Sequence, residues 1–404
     1  MTARVFETKT IQEVIETLID YRGKTPKKTT SGVKLITAKV IKDGGILNKQ
    51  HEYIAEDTYD SWMRRGLPKQ WDILITTEAP LGEVAQLRTS EKIALAQRVI
   101  LLRGNPNLID QGYFFQALKS SFVKGELNAR ATGTTVLGIK QTELRLVRIP
   151  YYPLPIQHKI AGILSAYDDL IENNTRRIEI LEEMARSIYR EWFVKFRFPG
   201  HEQVQMVDSE LGLIPEGWEV VCLGKLASFQ TGKLNSNAAK PNGVYPFFTC
   251  SQEIFRTDTY SFDTECVLLA GNNANGVFHI KYFKGKFDAY QRTYVIRSLN
   301  QYQVTNYYLY FAIKAQLEHL KSISTGSATK FLTLTILNNL NIIVSLPDIQ
   351  DKFAKFIFVV FSEIELLQAK NANLRQTRDL LLPRLISGEI DVENLDINID
   401  QIAA

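Results

Sequence analysis

The side chains best placed to do chemistry in this sequence are cations, amides and hydroxyls. Arg22, Lys24, Lys27, Lys28 and Lys34 put five positive charges into thirteen residues without one acid, among Gly23, Pro26 and Gly32. Such a loop can follow a row of phosphates, and its plainer reading is a solvated surface loop. Arg64, Arg65 and Lys69 form a second cluster between Trp62 and Trp71, two aromatics expected to pack rather than to stack on bases, and Lys233 is a further candidate cation. Residues 71–84 read as strand, polar turn and return strand, with Thr76, Thr77 and Glu78 at the turn; residues 266–277 follow the same plan with Asn272, Asn273 and Asn275. Amides bond bidentately to adenine, whereas hydroxyls and a carboxylate accept from cytosine; the competing reading is that the asparagines only supply turn conformations. Gln97-Arg98 and Gln291-Arg292 each introduce a strand, either as frame residues or as contacts to a base and a phosphate. Thr132-Gly133-Thr134 beside Arg130, and Thr325-Gly326-Ser327 beside Lys330, offer hydroxyls and backbone amides able to hold a phosphate oxygen.

A reacting centre is not spelled out. The chain has no G-x-x-x-x-G-K-[ST], no G-x-G-x-x-G, no H-E-x-x-H and no G-x-S-x-G. Nor does it hold the Asn-Pro-Pro-aromatic tetrapeptide that amino-methyltransferases set against a flipped base; Asn105-Pro106-Asn107 departs from it. The five histidines are scattered without metal-ligand spacing. Cys222, Cys250 and Cys266 are too far apart for a zinc site or a disulfide framework, and read as small buried hydrophobes. No catalysis by this chain is expected.

Holding these groups takes more than one core. At 404 residues, 45% hydrophobic and 23% charged, the composition is that of a folded protein of two or three domains. No apolar run approaches the roughly 20 residues that span a bilayer, and the first residues lack the order of a secretion signal, so a cytoplasmic protein is expected. The net charge of +4 is unevenly spread: residues 1–150 carry 23 basic against 16 acidic side chains. From Glu389 onward come Glu389, Asp391, Glu393, Asp396 and Asp400 with no base, which leaves the rest at +9. A basic body suits an anionic partner, and the acidic end is expected to be disordered.

The chain also repeats itself. Thr132-Gly133 recurs as Thr325-Gly326, and Ile156-Gln157-x-Lys159 as Ile349-Gln350-x-Lys352, both at an offset of 193 without a gap. Apolar stripes at helical spacing follow each copy: Ile160, Ile163, Tyr167, Leu170, Asn174, Ile178, Leu181, Ala185, Ile188 and Trp192, then Ile349, Phe353, Phe356, Val360, Ile364, Leu367, Asn371, Leu374, Leu381 and Leu385. Chain order makes the two helices an antiparallel coiled-coil pair, each about 55 Å long at ~1.5 Å per residue, with Asn174 and Asn371 able to fix register or merely facing solvent. Asp168 and Asp169 fall on the polar face. Pro153, Pro155 and Pro347 precede the helices, and Pro199-Gly200 and Pro383 are expected to end them. The fold class is therefore α+β, one mixed globule used twice: residues 1–150 and 201–345 as globules, 151–200 and 346–390 as the helical spacers, and 391–404 as an acidic tail.

At this point the sequence resembles the DNA-specificity subunit of type I restriction-modification systems over nearly its full length. The stretches that carry the resemblance are Leu154-Pro155-Ile156-Gln157-His158-Lys159-Ile160-Ala161, the segment from Trp192-Phe193 to Phe198-Pro199-Gly200-His201, Ser209-Glu210-Leu211-Gly212-Leu213-Ile214-Pro215-Glu216-Gly217-Trp218, and Leu381-Leu382-Pro383-Arg384-Leu385-Ile386-Ser387-Gly388-Glu389-Ile390. The resemblance implies two target-recognition domains with pseudo-twofold character. Each would read half of a bipartite double-stranded DNA site, and the antiparallel helices would act as a ruler. It further implies modification subunits that bring S-adenosylmethionine, and motor-nuclease subunits that use ATP and magnesium, all on partner chains and with no membrane. Leu346-Pro347-Asp348 is a weaker copy of Pro153-Leu154-Pro155. Two other classes stand beside this one: a protein- or glycan-binding scaffold, and part of a fused methyltransferase.

Overall fold

A computed structural model describes residues 7–21, 25–47, 52–274, 276–327 and 329–395. The chain divides into two compact units, Met1–Thr175 with Ala369–Ala404, and Arg176–Gln368. The central helix, Leu154–Tyr189, and the distal helix, Pro347–Ile386, each give one part to each unit.

In the first unit the continuous apolar runs become strands buried on both faces. A four-stranded antiparallel sheet has the order Ile15–Asp20, Val99–Gly104, Ile73–Thr77, Leu81–Gln86. Because side chains alternate along a strand, Ile73, Ile75, Ile100 and Leu102 face one core, with helix Gln111–Lys119 and the start of the central helix. Leu74, Val99 and Leu101 face a second core, roofed by a small sheet of Val33–Ile36, Glu52–Ile54 and Ile93–Leu95. The second unit repeats the alternation. Val267, Leu269 and Ile296 face its large core, while Cys266, Leu268 and Val295 face a smaller one built around Phe248 and Phe287. Its sheet has six strands, in the order Ala227–Thr231, Thr293–Ser298, Phe262–Ala270, Ile280–Ala289, Tyr245–Phe248, Ile254–Thr257.

Equivalent hydrogen bonds recur at near-constant offset. Asp110 and Thr305 cap the helices Gln111–Lys119 and Asn306–Ala315 by accepting from Tyr113 N and Tyr308 N. Each tyrosine then donates its hydroxyl to a backbone carbonyl, Tyr113 to Pro150 and Tyr308 to Ile343. Gln157 is fully buried: its Oε1 accepts from Asp110 N at 2.8 Å and its Nε2 donates to Leu108 O and Tyr152 O. The glutamine of the helix-opening motif is thus a structural staple.

The helices run antiparallel within each unit. In the first, Arg378 reaches Asp168 at 2.6 Å and Asn174 Nδ2 donates to Asn371 Oδ1 at 2.9 Å. In the second, Arg177 pairs with Glu363 at 2.9 Å, and Trp192 packs on Phe353 with ring centroids 6.2 Å apart. Asn371 is buried and also donates to Ile171 O and Thr175 Oγ1, so the register-fixing reading holds for it.

Several expectations are corrected. Leu170 is exposed, and Ile171 takes the buried position beside it. Phe356 is likewise on the outside, with Ile357 buried next to it. Asp168 is not on a solvated face. Helix Gln111–Lys119 covers it, and Gln116 and Lys119 lie 2.7 and 3.6 Å from its carboxylate. Pro383 lies inside the distal helix, and the central helix runs on into a π-turn, Arg190–Val194. The acidic end is docked as far as it is described: Val392 is buried and Lys159 Nζ donates to Glu393 O. Trp71 is exposed, whereas Trp62 stacks on Tyr21. Among the described residues, no helix is long and apolar enough to cross a membrane.

Candidate functional site

Three segments singled out by composition come together in each unit, and one pattern of backbone bonds holds them. In the first unit Thr77 N donates to Arg98 O and Ile139 N donates to Thr77 O, both at 3.0 Å. In the second, Gly271 N donates to Arg292 O at 2.8 Å and Leu332 N donates to Gly271 O at 2.9 Å. The end of the first hairpin strand, the Gln-Arg turn and the exit of the Thr-Gly loop are thereby locked side by side. Each Thr-Gly loop is pinched shut by a reciprocal pair: Thr132 with Gly138 at 2.8 and 2.9 Å, Thr325 with Phe331 at 3.1 and 2.8 Å. Gly133 and Gly326 have φ of +124° and +95°, and a Cβ on either would lie 2.1 Å from a carbonyl oxygen, of Val136 or Thr329. Only glycine fits these turns without strain.

The frame is shared and the linings differ. In the first unit it encloses a cleft of about 350 Å³ lined by Thr77, Glu78, Gln97, Arg98, Thr132 and Lys140. Arg98 Nε meets Glu78 Oε1 at 2.6 Å, and both side chains remain partly exposed at the mouth. In the second unit Asn272–Asn273 pairs with Lys330–Phe331 as a short ladder. Arg292 lies over the Phe331 ring at 5.4 Å, and Asn272 Oδ1 accepts from Cys250 Sγ. The cleft of the first unit thus joins a carboxylate to an arginine, while the same frame in the second unit presents amides, an arginine on an aromatic face, and a lysine.

The remaining candidates sort by what they touch. Thr76 is fully buried; its hydroxyl donates to Pro80 O at 2.6 Å and accepts from Glu83 N at 2.9 Å, so it holds the turn and faces no ligand. The return strand of the second hairpin begins only at Ile280, later than the sequence plan suggests. Lys28 and Lys34 are compensated by Glu52 and Glu91, at 2.7 and 3.1 Å, acids that the local sequence does not show. Arg130 is held by Glu126 and Glu143 and does not reach into the cleft as a free cation. Thr134, Lys233 and Ser327 are exposed, and Gln291 is anchored through its backbone to Leu234 O. Lys27, Arg64 and Arg65 gather at a separate cleft. Arg22, Lys24 and Asn275 lie outside the described residues. Lys140, Gly138 and Ile139 were missed, although the offset of 193 that pairs them with Thr333, Phe331 and Leu332 was available. Burial pushes the Cys266 thiol up to about 12, which removes it as a nucleophile. No cluster of metal-ligating side chains occurs among the described residues.

Two copies of one frame with different linings define a duplicated recognition protein. Residues 4–183 and 215–376 each match the family model of the type I restriction modification DNA specificity domain, and the chain belongs to that family. It is 28% identical over 347 residues to the MjaIX specificity subunit of Methanocaldococcus jannaschii, covering 80% of this chain and 78% of that one. It is 32% identical over 186 residues to the EcoDI specificity subunit of Escherichia coli, covering 45% of this chain but only 40% of that subunit's length. A solved type I restriction-modification S subunit from M. genitalium shares the fold, with a TM-score of 0.55 at 18% identity over 95% of this chain and 97% of that one.

Proposed function

We propose that this chain is a non-catalytic DNA-specificity subunit acting in the cytoplasm, in which each unit reads one half of a bipartite duplex site through the residues on its frame. The observation that carries the reading is the repeated hydrogen-bond frame with dissimilar linings, because two readers of one construction and different content suit an asymmetric two-part sequence. Glu78 would accept from an exposed base amino group in one half, and the Asn272–Asn273 amides would pair with a base edge in the other. The scaffold role is supported by apolar side chains left exposed on the distal helix, Phe358, Val359 and Leu366, which suit docking of a modification subunit. S-adenosylmethionine, ATP and magnesium belong to such partners in this reading.

Selection of duplexes from a random library by the full chain tests it. Two short half-sites at fixed separation are expected, and exchanging Asn272 and Asn273 should alter one half only. Salt-independent binding, or enrichment of no sequence, would return the chain to the class of protein- or glycan-binding scaffolds.

A further inference from the structure

The first unit has a second cleft, beside a helix, Tyr59–Trp62, that has no counterpart among the described residues of the second unit. It holds about 430 Å³ and is lined by Tyr21, Lys27, Trp62, Arg64 and Arg65. Tyr21 and Trp62 form one wall, stacked at 5.4 Å between centroids, and Trp62 is fixed by its Nε1 bond to Leu95 O. Arg65 lies over the Tyr21 ring at 5.8 Å and is held by Asp20 O, so its guanidinium is oriented in advance. Arg64 is steered by its Nε bond to Ser61 O. Neighbouring cations on this face have carboxylate partners, Lys28 with Glu52, Lys34 with Glu91 and Lys92 with Glu56. Among the described residues, Lys27, Arg64 and Arg65 have none. The cleft is also tied to the readout cleft: Thr25, two residues before Lys27, donates its hydroxyl to Gln97 Oε1 at 3.0 Å. The small sheet beside it does recur, since Tyr245–Phe248 pairs antiparallel with Ile254–Thr257 and parallel with the end of Ile280–Ala289. What the described residues of the second unit lack is a helix like Tyr59–Trp62, which carries Trp62 and leads into Arg64 and Arg65.

We propose that this cleft is a sequence-independent phosphodiester site, which grips the duplex beside the bases read at Gln97 and Arg98 and makes the first unit the stronger electrostatic anchor. Uncompensated, pre-oriented cations are what a phosphate chain selects, and they carry no base information. The inference rests on the DNA-recognition reading above.

The test uses the full chain and two labelled duplexes, one carrying a selected site and one scrambled, titrated between about 50 and 200 mM salt. Lys27→Ala with Arg64→Ala should weaken binding to both duplexes by the same factor. The slope of log affinity against log salt should become shallower by about 1.8, about 0.9 for each lost phosphate contact. Lys27→Gln with Arg64→Gln, which keeps side-chain bulk, should do the same, with unchanged thermal unfolding as the check on folding. An unchanged slope, or a loss confined to the selected duplex, overturns the proposal. Inorganic phosphate and a mononucleotide at constant ionic strength form a second arm. If the variants lose these ligands while the duplex slope holds, the cleft serves a free phosphate and the proposal falls. If the unaltered chain shows no salt-dependent duplex binding, the DNA-recognition reading fails, and this site with it.

Discussion

The two units solve one packing problem with opposite chemistry. Where the capped helix of each globule meets the long helices, the first unit places Gln116, Lys119 and Asp168, with Arg378 opposite. The repeat offsets bring Phe311, Lys314 and Phe361 to the same places in the second unit, with Ala185 where Arg378 would be. There Phe361 packs on Phe311 and Tyr307, with ring centroids 6.1 and 5.0 Å away. The contrast teaches that the repeated frame fixes backbone geometry, whereas the glue at the junction is free to change. Aromatic packing gains from removal of surface from water. A buried ion cluster must first offset the desolvation of every member, and it stabilises only while it is complete.

Breaking the ionic junction has the largest expected effect. Asp168→Ala leaves Lys119 buried without a carboxylate and Arg378 with Asp379 alone, and should cost about 3–5 kcal/mol, seen as early unfolding of the first unit by hydrogen exchange. Acid should act in the same direction. Burial pushes the Asp168 carboxyl up, but Lys119, Arg378 and Gln116 together outweigh it and hold the group below its ordinary range. The folded value is therefore the lower one. The stability it contributes is complete above the unfolded value of about 3.9 and is lost as pH falls through the folded value. In acid titrations followed by exchange, the first unit should open before the second. Converting the junction instead of breaking it sharpens the comparison: Gln116→Phe, Lys119→Leu, Asp168→Phe and Arg378→Ala together, which remove the buried lysine along with its partner, should be neutral or stabilising by about 1–4 kcal/mol in thermal unfolding.

Smaller effects come from the clefts. Gly133→Ala should cost about 1–3 kcal/mol through strain at positive φ and impair one half-site; Gly326→Ala should impair the other, as read by binding to duplexes with single half-sites altered. Glu78→Gln should change stability least, by under about 1 kcal/mol, since its pair with Arg98 is partly exposed. It should nevertheless shift the preferred base in the first half-site while leaving the second unchanged.

Much of this was legible in the sequence because it is carried by local rules. The gap-free offset of 193 predicted the paired Thr-Gly loops, and apolar periodicity predicted both long helices. What escaped depends on contacts distant in the chain. Asp168 sits among charged neighbours at helical spacing and looks solvated; its burial is decided by Gln116 and Lys119, fifty residues earlier. Lys28 and Lys34 look like free phosphate ligands until folding brings Glu52 and Glu91 against them. Thr76 has the composition of a reading residue and the surroundings of a turn clamp. The Tyr21–Trp62 cleft lay beyond a repeat-based reading because the helix Tyr59–Trp62 has no counterpart among the described residues of the second globule.

The composition of the first unit also has a bearing on how the protein is made. Its core includes Leu382, Leu385, Ile386 and Val392, residues translated after all of the second unit, which is one uninterrupted stretch of chain. On the ribosome, the globule that emerges first must wait with part of its apolar interior uncovered, and the one that emerges later can close before it. Truncation near residue 380 would therefore injure the beginning of the protein and spare its middle.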